Sequence, residues 1–310
     1  MAVNVDHRGD GLAIVTLLAE SAQNAFSIET MNVLSKTINS LLDDKKIKAF
    51  ILTGTGKFFC SGADINEFKS CYDNGTIAQL VHQLTSILHP LLIKIRQSDT
   101  IYVAALNGAA AGGGLGLALA ADYRIASPNA KMAAAFFSLG LSPDGGTTWL
   151  LPRLVGNKET RKFFFDNETW SASKALDKGA IDEIVQSELL IERSIEVAKK
   201  WGFWAPTSKK GTKELLDLQT YNSFPEHLKI EQQGIVDACQ TKFFAKGVEA
   251  FLDKKIPVLL MSDAVDEFWL QNIGKYKDKN FKSITKGKVD LSHYNSKEKN
   301  KVNIDNKNSN

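Results

Sequence analysis

Cysteine is scarce in this chain, and neither sign of charge dominates. The 310 residues include three cysteines, Cys60, Cys71 and Cys239, an odd number that lacks the short spacing of a metal site. This usage argues against a disulfide framework and fits a reducing compartment. The formal net charge is only +3, which gives no argument for a nucleic-acid partner or a strongly acidic one.

Long apolar runs are also absent from the sequence. No stretch approaches the ~20 apolar residues that a membrane-spanning helix needs. The first ten residues, Met1 to Asp10, are polar with mixed charge, whereas a secretory signal is basic and then apolar. We therefore predict a cytoplasmic protein with no membrane partner and no nucleic-acid partner.

Several common catalytic motifs are missing as well. The glycine run at 112–114 is not followed by Lys-Ser or Lys-Thr, so it is not a Walker A loop, and no G-x-S-x-G nucleophile motif occurs. The five histidines have no ligand or triad spacing; His82 and His89 are seven residues apart and could share a helix face, but the pattern gives them no role. We predict no metal site and no separate cofactor.

What is present indicates an α/β protein with a sizeable core. Hydrophobic residues make up 44% of the chain, enough to bury a substantial interior. Strand-like runs at 11–18 and 47–53 flank an amphipathic helix predicted over 27–42, with Ser27 as its N-cap. Strand, helix and strand at this spacing predict parallel strands. After about residue 187 the pattern becomes helical throughout.

One glycine-rich stretch, Ile101 to Gly116, carries the first hint of chemistry. A buried strand is predicted over 101–106, Asn107-Gly108 marks a turn, and a helix is predicted to begin at or just after Gly112 to Gly114. The first N–H groups of a helix have no internal partner, so this arrangement can receive an anion or oxyanion. Alternatively, the glycines only let helix and strand pack closely.

Two segments together resemble the crotonase (enoyl-CoA hydratase/isomerase) superfamily. F-C-S-G-A-D-I at 59–65 is similar to its first motif, and N-G-A-A-A-G-G-G-L-G-L-A-L-A-A-D at 107–122 is similar to its second. The order and separation of these two motifs also match, as do the segments at 172–180 and 247–254, so the resemblance spans roughly residues 8–257. It implies an α/β fold with a crotonase-like ββα spiral core and a C-terminal helical region.

The same resemblance divides the chain into three predicted parts. Residues 1–187 would form the ββα core with the acyl-CoA site, and residues 188–257 would form a C-terminal helical region that serves oligomerisation and covers the site. Residues 258–310 would be an extra segment. From about residue 275 it contains ten lysines and only four acidic residues, so we predict a disordered Lys/Asn-rich tail.

Acyl-CoA thioesters are the substrates that the resemblance implies. In such proteins two backbone N–H groups hold the thioester oxygen, and here these would belong to Ala63 and Gly113. The predicted substrate-binding residues are Ser61, Gly62, Asp64, Ile65, Gly112 and Phe136. The resemblance also implies a homotrimer or a dimer of trimers, and the coenzyme A thioester is part of the substrate rather than a cofactor.

The acid–base residues depart from those of hydratases in the superfamily. Such hydratases use two glutamates, and the matching positions here hold Gly116 and Phe136. Asp144, in S-P-D-G-G, remains as the one carboxylate at a position where isomerases of the superfamily, including that of phenylacetate breakdown, carry an aspartate. A different interpretation is that Asp144 only caps the helix that follows it.

We therefore predict an isomerase that shifts a double bond by proton abstraction and return, through an enolate held in an oxyanion hole. Asp144 would be the catalytic base, with Ala63 and Gly113 as oxyanion donors. The alternatives are an enoyl-CoA hydratase-like enzyme, a dehalogenase-like or hydrolase-like enzyme that uses Asp144, and a non-catalytic acyl-CoA binding scaffold.

Overall fold

The computed structural model describes residues 3–18 and 23–255, and two sheets organise them. The strands are β1 (Val3–Arg8), β2 (Leu12–Leu17), β3 (Ala49–Gly54), β4 (Phe58–Cys60), β5 (Ile101–Leu106), β6 (Ala109–Ala111), β7 (Tyr123–Ala126), β8 (Lys131–Ala133), β9 (Thr169–Ser171) and β10 (Glu183–Ile184). The large sheet has the order β1-β2-β3-β5-β7-β10 and the small sheet has the order β4-β6-β8-β9. In each sheet one terminal pair, β1–β2 or β8–β9, is antiparallel, and the other neighbours are parallel.

Ten helices connect and cover these strands within the described residues. They are α1 (Ile28–Asp43), α2 (Ile65–Asp73), α3 (Ile77–Gln97), α4 (Gly113–Leu119), α5 (Thr147–Phe165), α6 (Ala172–Lys178), α7 (Leu190–Gly202), α8 (Pro206–Leu218), α9 (Phe224–Cys239) and α10 (Lys242–Leu252). The predicted cap of α1 is confirmed, because the Ser27 side chain accepts a hydrogen bond from the N–H of Thr30. None of these helices is long and apolar enough to cross a membrane.

The chain repeats one pattern three times as it passes between the sheets. A strand joins the large sheet, the next strand joins the small sheet, and a helix follows: β3-β4-α2, β5-β6-α4 and β7-β8-α5. This repeat confirms the predicted ββα spiral core. The parallel order places the ends of β4 and β6 side by side, so the two glycine-containing loops that follow them meet.

Both faces of the central strands β2, β3 and β5 are buried, which explains why these strands are mostly apolar. Side chains on one face of the sheet, including Ile51 and Val103, pack against Val197 and Ala198 of α7. Side chains on the opposite face, such as Phe50 and Tyr102, belong to the main core with α1 and α3. The rings of Phe50 and Tyr102 stack with their centroids 4.6 Å apart.

Three helices differ from their sequence-based predictions. The helical pattern over 77–95 predicts a kink or a break at Pro90, but α3 is not split and continues through it from residue 77 to 97. The sequence pattern predicts a helix over 147–154 that Pro152 limits, and this agrees with the first part of α5. After a kink at Gly156, whose φ of 79° and ψ of 160° are not helical, α5 continues to Phe165. The sequence pattern predicts a helix over 213–218, but α8 begins at Pro206. The buried residues of α8 are Lys209 and Lys213, so its buried face does not show as an apolar pattern in the sequence.

The proposed division at residues 187 and 188 remains a prediction. The C-terminal helical region starts with α7, which packs directly on the large sheet. The predicted extra segment 258–310, with its Lys/Asn-rich tail, lies outside the described residues.

Candidate functional site

Several glycines at the start of α4 have a steric explanation. A Cβ atom at Gly114 would lie 2.3 Å from the carbonyl oxygen of Cys60, and one at Gly116 would lie 2.1 Å from that of Gly145. A Cβ at Gly113 would meet the side chains of Phe26 and Leu88 at 3.3 and 3.4 Å. Close packing therefore accounts for part of this motif, and it brings α4 against two loops at once.

Ala63 lies in the loop after β4, where a single parallel bridge pairs it with Phe26. The N–H of Phe26 donates to the carbonyl of Gly62 at 2.7 Å, and the N–H of Asp64 donates to the carbonyl of Phe26 at 3.3 Å. In a parallel bridge the flanking residues make these bonds, so the N–H of Ala63 points away from Phe26.

Two backbone donors are consequently left at the junction of the two loops. Gly113 is the first residue of α4, where an N–H has no partner inside the helix. Within residues 3–18 and 23–255, neither this N–H nor that of Ala63 donates a hydrogen bond. The loops are in contact, since a Cβ at Gly62 would lie 3.2 Å from the nitrogen of Gly113 and 2.9 Å from the carbonyl oxygen of Ala111.

A cavity of about 880 Å³ opens at this junction. Of the nine residues predicted for the site, eight contribute to its lining, namely Ser61, Ala63, Asp64, Ile65, Gly112, Gly113, Phe136 and Asp144. Gly62 does not, because it faces the loop of Ala111 instead. Apolar side chains from α1, α3 and the segment before Asp144 form much of the remaining wall, including Met31, Leu84, Leu88, Leu139 and Leu141.

The side chain of Asp144 does not cap the helix after it, so the capping interpretation is wrong. The N-cap of α5 is Gly146, and no side chain caps it. The backbone carbonyl of Asp144, not its carboxylate, accepts from the N–H of Thr147 at 3.2 Å and from its hydroxyl at 2.8 Å. These bonds fix the turn and leave the carboxylate at the cavity wall.

His89 is the partner of that carboxylate, and the sequence analysis missed it. Nε2 of His89, on α3, lies 2.6 Å from Oδ1 of Asp144. Their side chains are 48% and 36% exposed, so the contact adds little to folding stability but orients the carboxylate. The second oxygen, Oδ2, has no hydrogen-bond partner among the described residues.

Two other polar groups near the site have structural explanations. Oδ1 of Asp64 accepts from the N–H groups of Asn66 and Glu67 at 2.8 and 3.4 Å, so this residue caps α2. Burial raises the pKa of the Cys60 thiol to about 12, so it is a protonated core residue and not a nucleophile. No cluster of three or more potential metal-binding side chains occurs in the part of the chain that the structure describes.

Comparison with known protein families decides which family the chain belongs to. The family model described as enoyl-CoA hydratase/isomerase matches residues 7–259, which is most of the chain. The chain belongs to the enoyl-CoA hydratase/isomerase family. A second model, described as Hsp90 protein, matches residues 212–310; it covers less than half of the chain and overlaps the first, so it supports no assignment.

Relatives of this family member have different activities. The 1,2-epoxyphenylacetyl-CoA isomerase of Escherichia coli strain K12 is 30% identical, and the match covers 82% of this chain and 96% of the relative. The short-chain-enoyl-CoA hydratase of Clostridium acetobutylicum is 29% identical, with 79% and 92% covered. The crystal structure of an enoyl-CoA hydratase from Bacillus anthracis superposes with a TM-score of 0.77 at 28% identity and covers 84% of this chain and 99% of that one.

Proposed function

We propose that this family member is an enoyl-CoA isomerase that moves a double bond without a separate cofactor. The observation that supports this most directly is the location of the Asp144 carboxylate, oriented by His89, on the cavity that Ala63 and Gly113 line. The family relationship supports an acyl-CoA substrate, whose thioester would be the reacting group.

In this proposal the thioester oxygen accepts hydrogen bonds from the N–H groups of Ala63 and Gly113. Removal of the proton from the carbon next to the thioester makes an enolate, and negative charge then develops on that oxygen. Donors fixed in position before the reaction stabilise this charge, and one such donor contributes roughly a hundred- to a thousandfold in rate. Neither N–H is committed to another acceptor in the described structure.

Asp144 then acts as the base and afterwards as the acid. Its carboxylate takes the proton from the α-carbon of a 3-enoyl thioester, the electrons delocalise over the dienolate, and the proton returns at the γ-carbon to give the 2-enoyl product. No atom is gained or lost. His89 is a positioning residue in this scheme, because a hydrogen bond to Oδ1 holds the carboxylate and leaves Oδ2 for the proton.

Hydration is the main competing activity, since a relative named as a short-chain-enoyl-CoA hydratase is 29% identical. Adding water across the double bond needs one group to activate water and another to protonate carbon. Gly116 has no side chain, and Phe136 is buried and apolar. Among the described residues, the lining has only two carboxylates, Asp144 and Asp64, and Asp64 is already used as a helix cap.

Assembly is part of the proposal because the cavity lining contains no lysine or arginine among the described residues. The phosphates of coenzyme A would need cations from beyond this lining. We propose that copies of the chain associate as a homotrimer or a dimer of trimers; a cytoplasmic location remains a prediction.

The decisive experiment is product analysis over a panel of 2-enoyl and 3-enoyl thioesters in deuterated water, by mass spectrometry and NMR. We expect double-bond migration with deuterium at the α- or γ-carbon. Crotonyl-CoA should be hydrated far below ~1 per second, a low rate for a competent enzyme. Rapid hydration without migration would favour a hydratase. Binding of every thioester without any turnover would favour a scaffold.

A further inference from the structure

The turn that carries Asp144 rests directly on α4. A Cβ at Gly145 would lie 3.5 Å from the Cα atoms of both Gly113 and Gly116, so the two backbones are in van der Waals contact. Gly145 and Gly146 have φ angles of 62° and 70°, which let the chain lie flat against the helix. The position of Asp144 is therefore set by α4, the helix that also supplies Gly113.

Gly116 is the residue on which this contact depends. A Cβ at position 116 would lie 2.1 Å from the carbonyl oxygen of Gly145, 2.8 Å from its carbonyl carbon and 3.0 Å from its Cα. All three obstacles are backbone atoms of the Asp144 turn. A normal contact needs about 3.4 Å or more, so any side chain at 116 requires the turn to move.

The turn cannot absorb such a push locally. Pro143 fixes the backbone on one side of Asp144, and on the other the carbonyl of Asp144 is bonded to both the N–H and the hydroxyl of Thr147. Thr147 itself is fully buried. A displacement at Gly145 is consequently transmitted to Asp144 and to its contact with His89.

We propose that Gly116 is the positioning residue for the base. The absence of its side chain lets the Asp144 turn lie on α4 and sets the distance between the base and the oxyanion donor Gly113. The same contact excludes a carboxylate at position 116, so the chain is built to operate with one acid–base group. This inference rests on the proposed function, because it takes Asp144 as the base.

The test is Gly116→Ala, measured together with Asp144→Asn and the double variant. Misplacing a reacting group by about 1 Å can lower the rate by roughly a hundredfold, so we expect kcat of Gly116→Ala to fall by that order. The dissociation constant for a saturated acyl-CoA should stay within about threefold, because Ala63 and the other loop residues are unchanged. The double variant should be no slower than Asp144→Asn alone.

The matched control is Gly211→Ala, which adds the same methyl group to a helix where nothing lies within 4 Å of it. It should keep wild-type kcat. Circular dichroism and thermal melting must show that the variants fold. If Gly116→Ala does not fold, Gly145→Ala disturbs the same turn by a different route, because position 145 has a φ of 62° that residues with a Cβ rarely adopt. It should lower kcat by a smaller factor, again with no further loss in the Asp144→Asn background.

Specific outcomes would overturn the inference without affecting the proposed function. Loss of activity in Asp144→Asn together with wild-type kcat in folded Gly116→Ala, or in Gly145→Ala if only that variant folds, would reject Gly116 as the positioning residue. Multiplicative losses in the double variant would do the same. Full activity of Asp144→Asn would instead reject the proposed base. A crystal structure of the Gly116→Ala variant, or of Gly145→Ala in its place, adds a readout independent of turnover: an unmoved turn contradicts the inference.

Discussion

The ββα core and the last two helices of the described chain bury very different amounts of surface. Helices α1 and α3 each bury six side chains against the core. Helices α9 and α10 bury none, although their exposed large apolar residues are Phe224, Leu228, Ile235, Val236, Phe244, Val248, Phe251 and Leu252. Ile235 is 70% exposed and Phe251 is 80% exposed.

This difference separates what the core does alone from what needs a partner. The core contains the cavity, the two free backbone donors and the Asp144–His89 pair. A helix pair that exposes several large apolar side chains is typical of an interaction site, and the proposed assembly of identical chains would cover them. Chemistry and assembly should therefore respond to different substitutions.

The largest expected effect is on chemistry, from Asp144→Asn in the core. Asparagine keeps the size of the side chain but cannot accept the proton, so isomerisation and exchange of the substrate α-proton should each fall by about a hundredfold or more. Acyl-CoA affinity and oligomer size should be unchanged. Kinetics in deuterated water, isothermal titration with a saturated acyl-CoA and light scattering measure these three properties.

His89→Gln is a milder variant to measure beside it, because it changes the hydrogen-bond partner of Asp144 and keeps the Asp144 carboxylate. It should lower kcat by less than Asp144→Asn does. Near-normal proton exchange by a folded Asp144→Asn protein would contradict the assignment of the base and favour the scaffold alternative.

The next effect is on assembly, from Ile235→Asp on α9. A buried, unpaired carboxylate is unfavourable at an interface, so the oligomer should dissociate, as measured by light scattering after size exclusion. The core of the dissociated chain should stay folded, so its secondary structure should still show a melting transition by circular dichroism. Gln233→Glu is the matched control, because it adds the same charge on the opposite side of the helix; equal dissociation by both variants would argue against an apolar interface here.

The smallest effect concerns alkaline stability and Cys60 in the core. Burial raises the pKa of this thiol from its ordinary value of 9.0 to about 12, so above about pH 9 the unfolded chain loses a proton that the folded chain keeps. The free energy of unfolding should fall as the pH rises through this range. Burial also raises the pKa of Tyr102, which acts in the same direction.

Cys60→Ala should therefore flatten the decline of the melting temperature between about pH 9 and about pH 12, even if it lowers the melting temperature itself. Cys71→Ala, at a partly exposed thiol, serves as the comparison. An identical decline in wild type and Cys60→Ala would show that the buried thiol does not contribute.

The sequence predicted the parts of the fold that depend on local patterns. Apolar runs predicted β2, β3 and β5 to within a few residues, and Ser27 was identified as a cap because its position before an amphipathic helix is a local signal. The family motifs at 59–65 and 107–122 predicted residues that the structure brings to one cavity. Their catalytic and binding roles remain predictions.

What the sequence could not supply depended on contacts between distant residues. His89 and Asp144 are 55 positions apart, and no spacing rule connects an α3 residue to a turn. Capping by Asp144 was a reasonable prediction because its residue type and place both fit, but the backbone carbonyl took that role. Gly116 was identified only as a missing glutamate; its contact with Gly145 required coordinates.

The packing around four glycines also limits how this gene can vary. A Cβ at Gly54, Gly108, Gly114 or Gly116 would come within 2.4 Å of a backbone carbonyl oxygen, and every other amino acid has that atom. Each missense change at these codons therefore meets the same obstacle, whatever the chemistry of the new side chain. Natural sequence variation should be depleted at these four positions, including Gly54 and Gly108, which contact no substrate in our proposal.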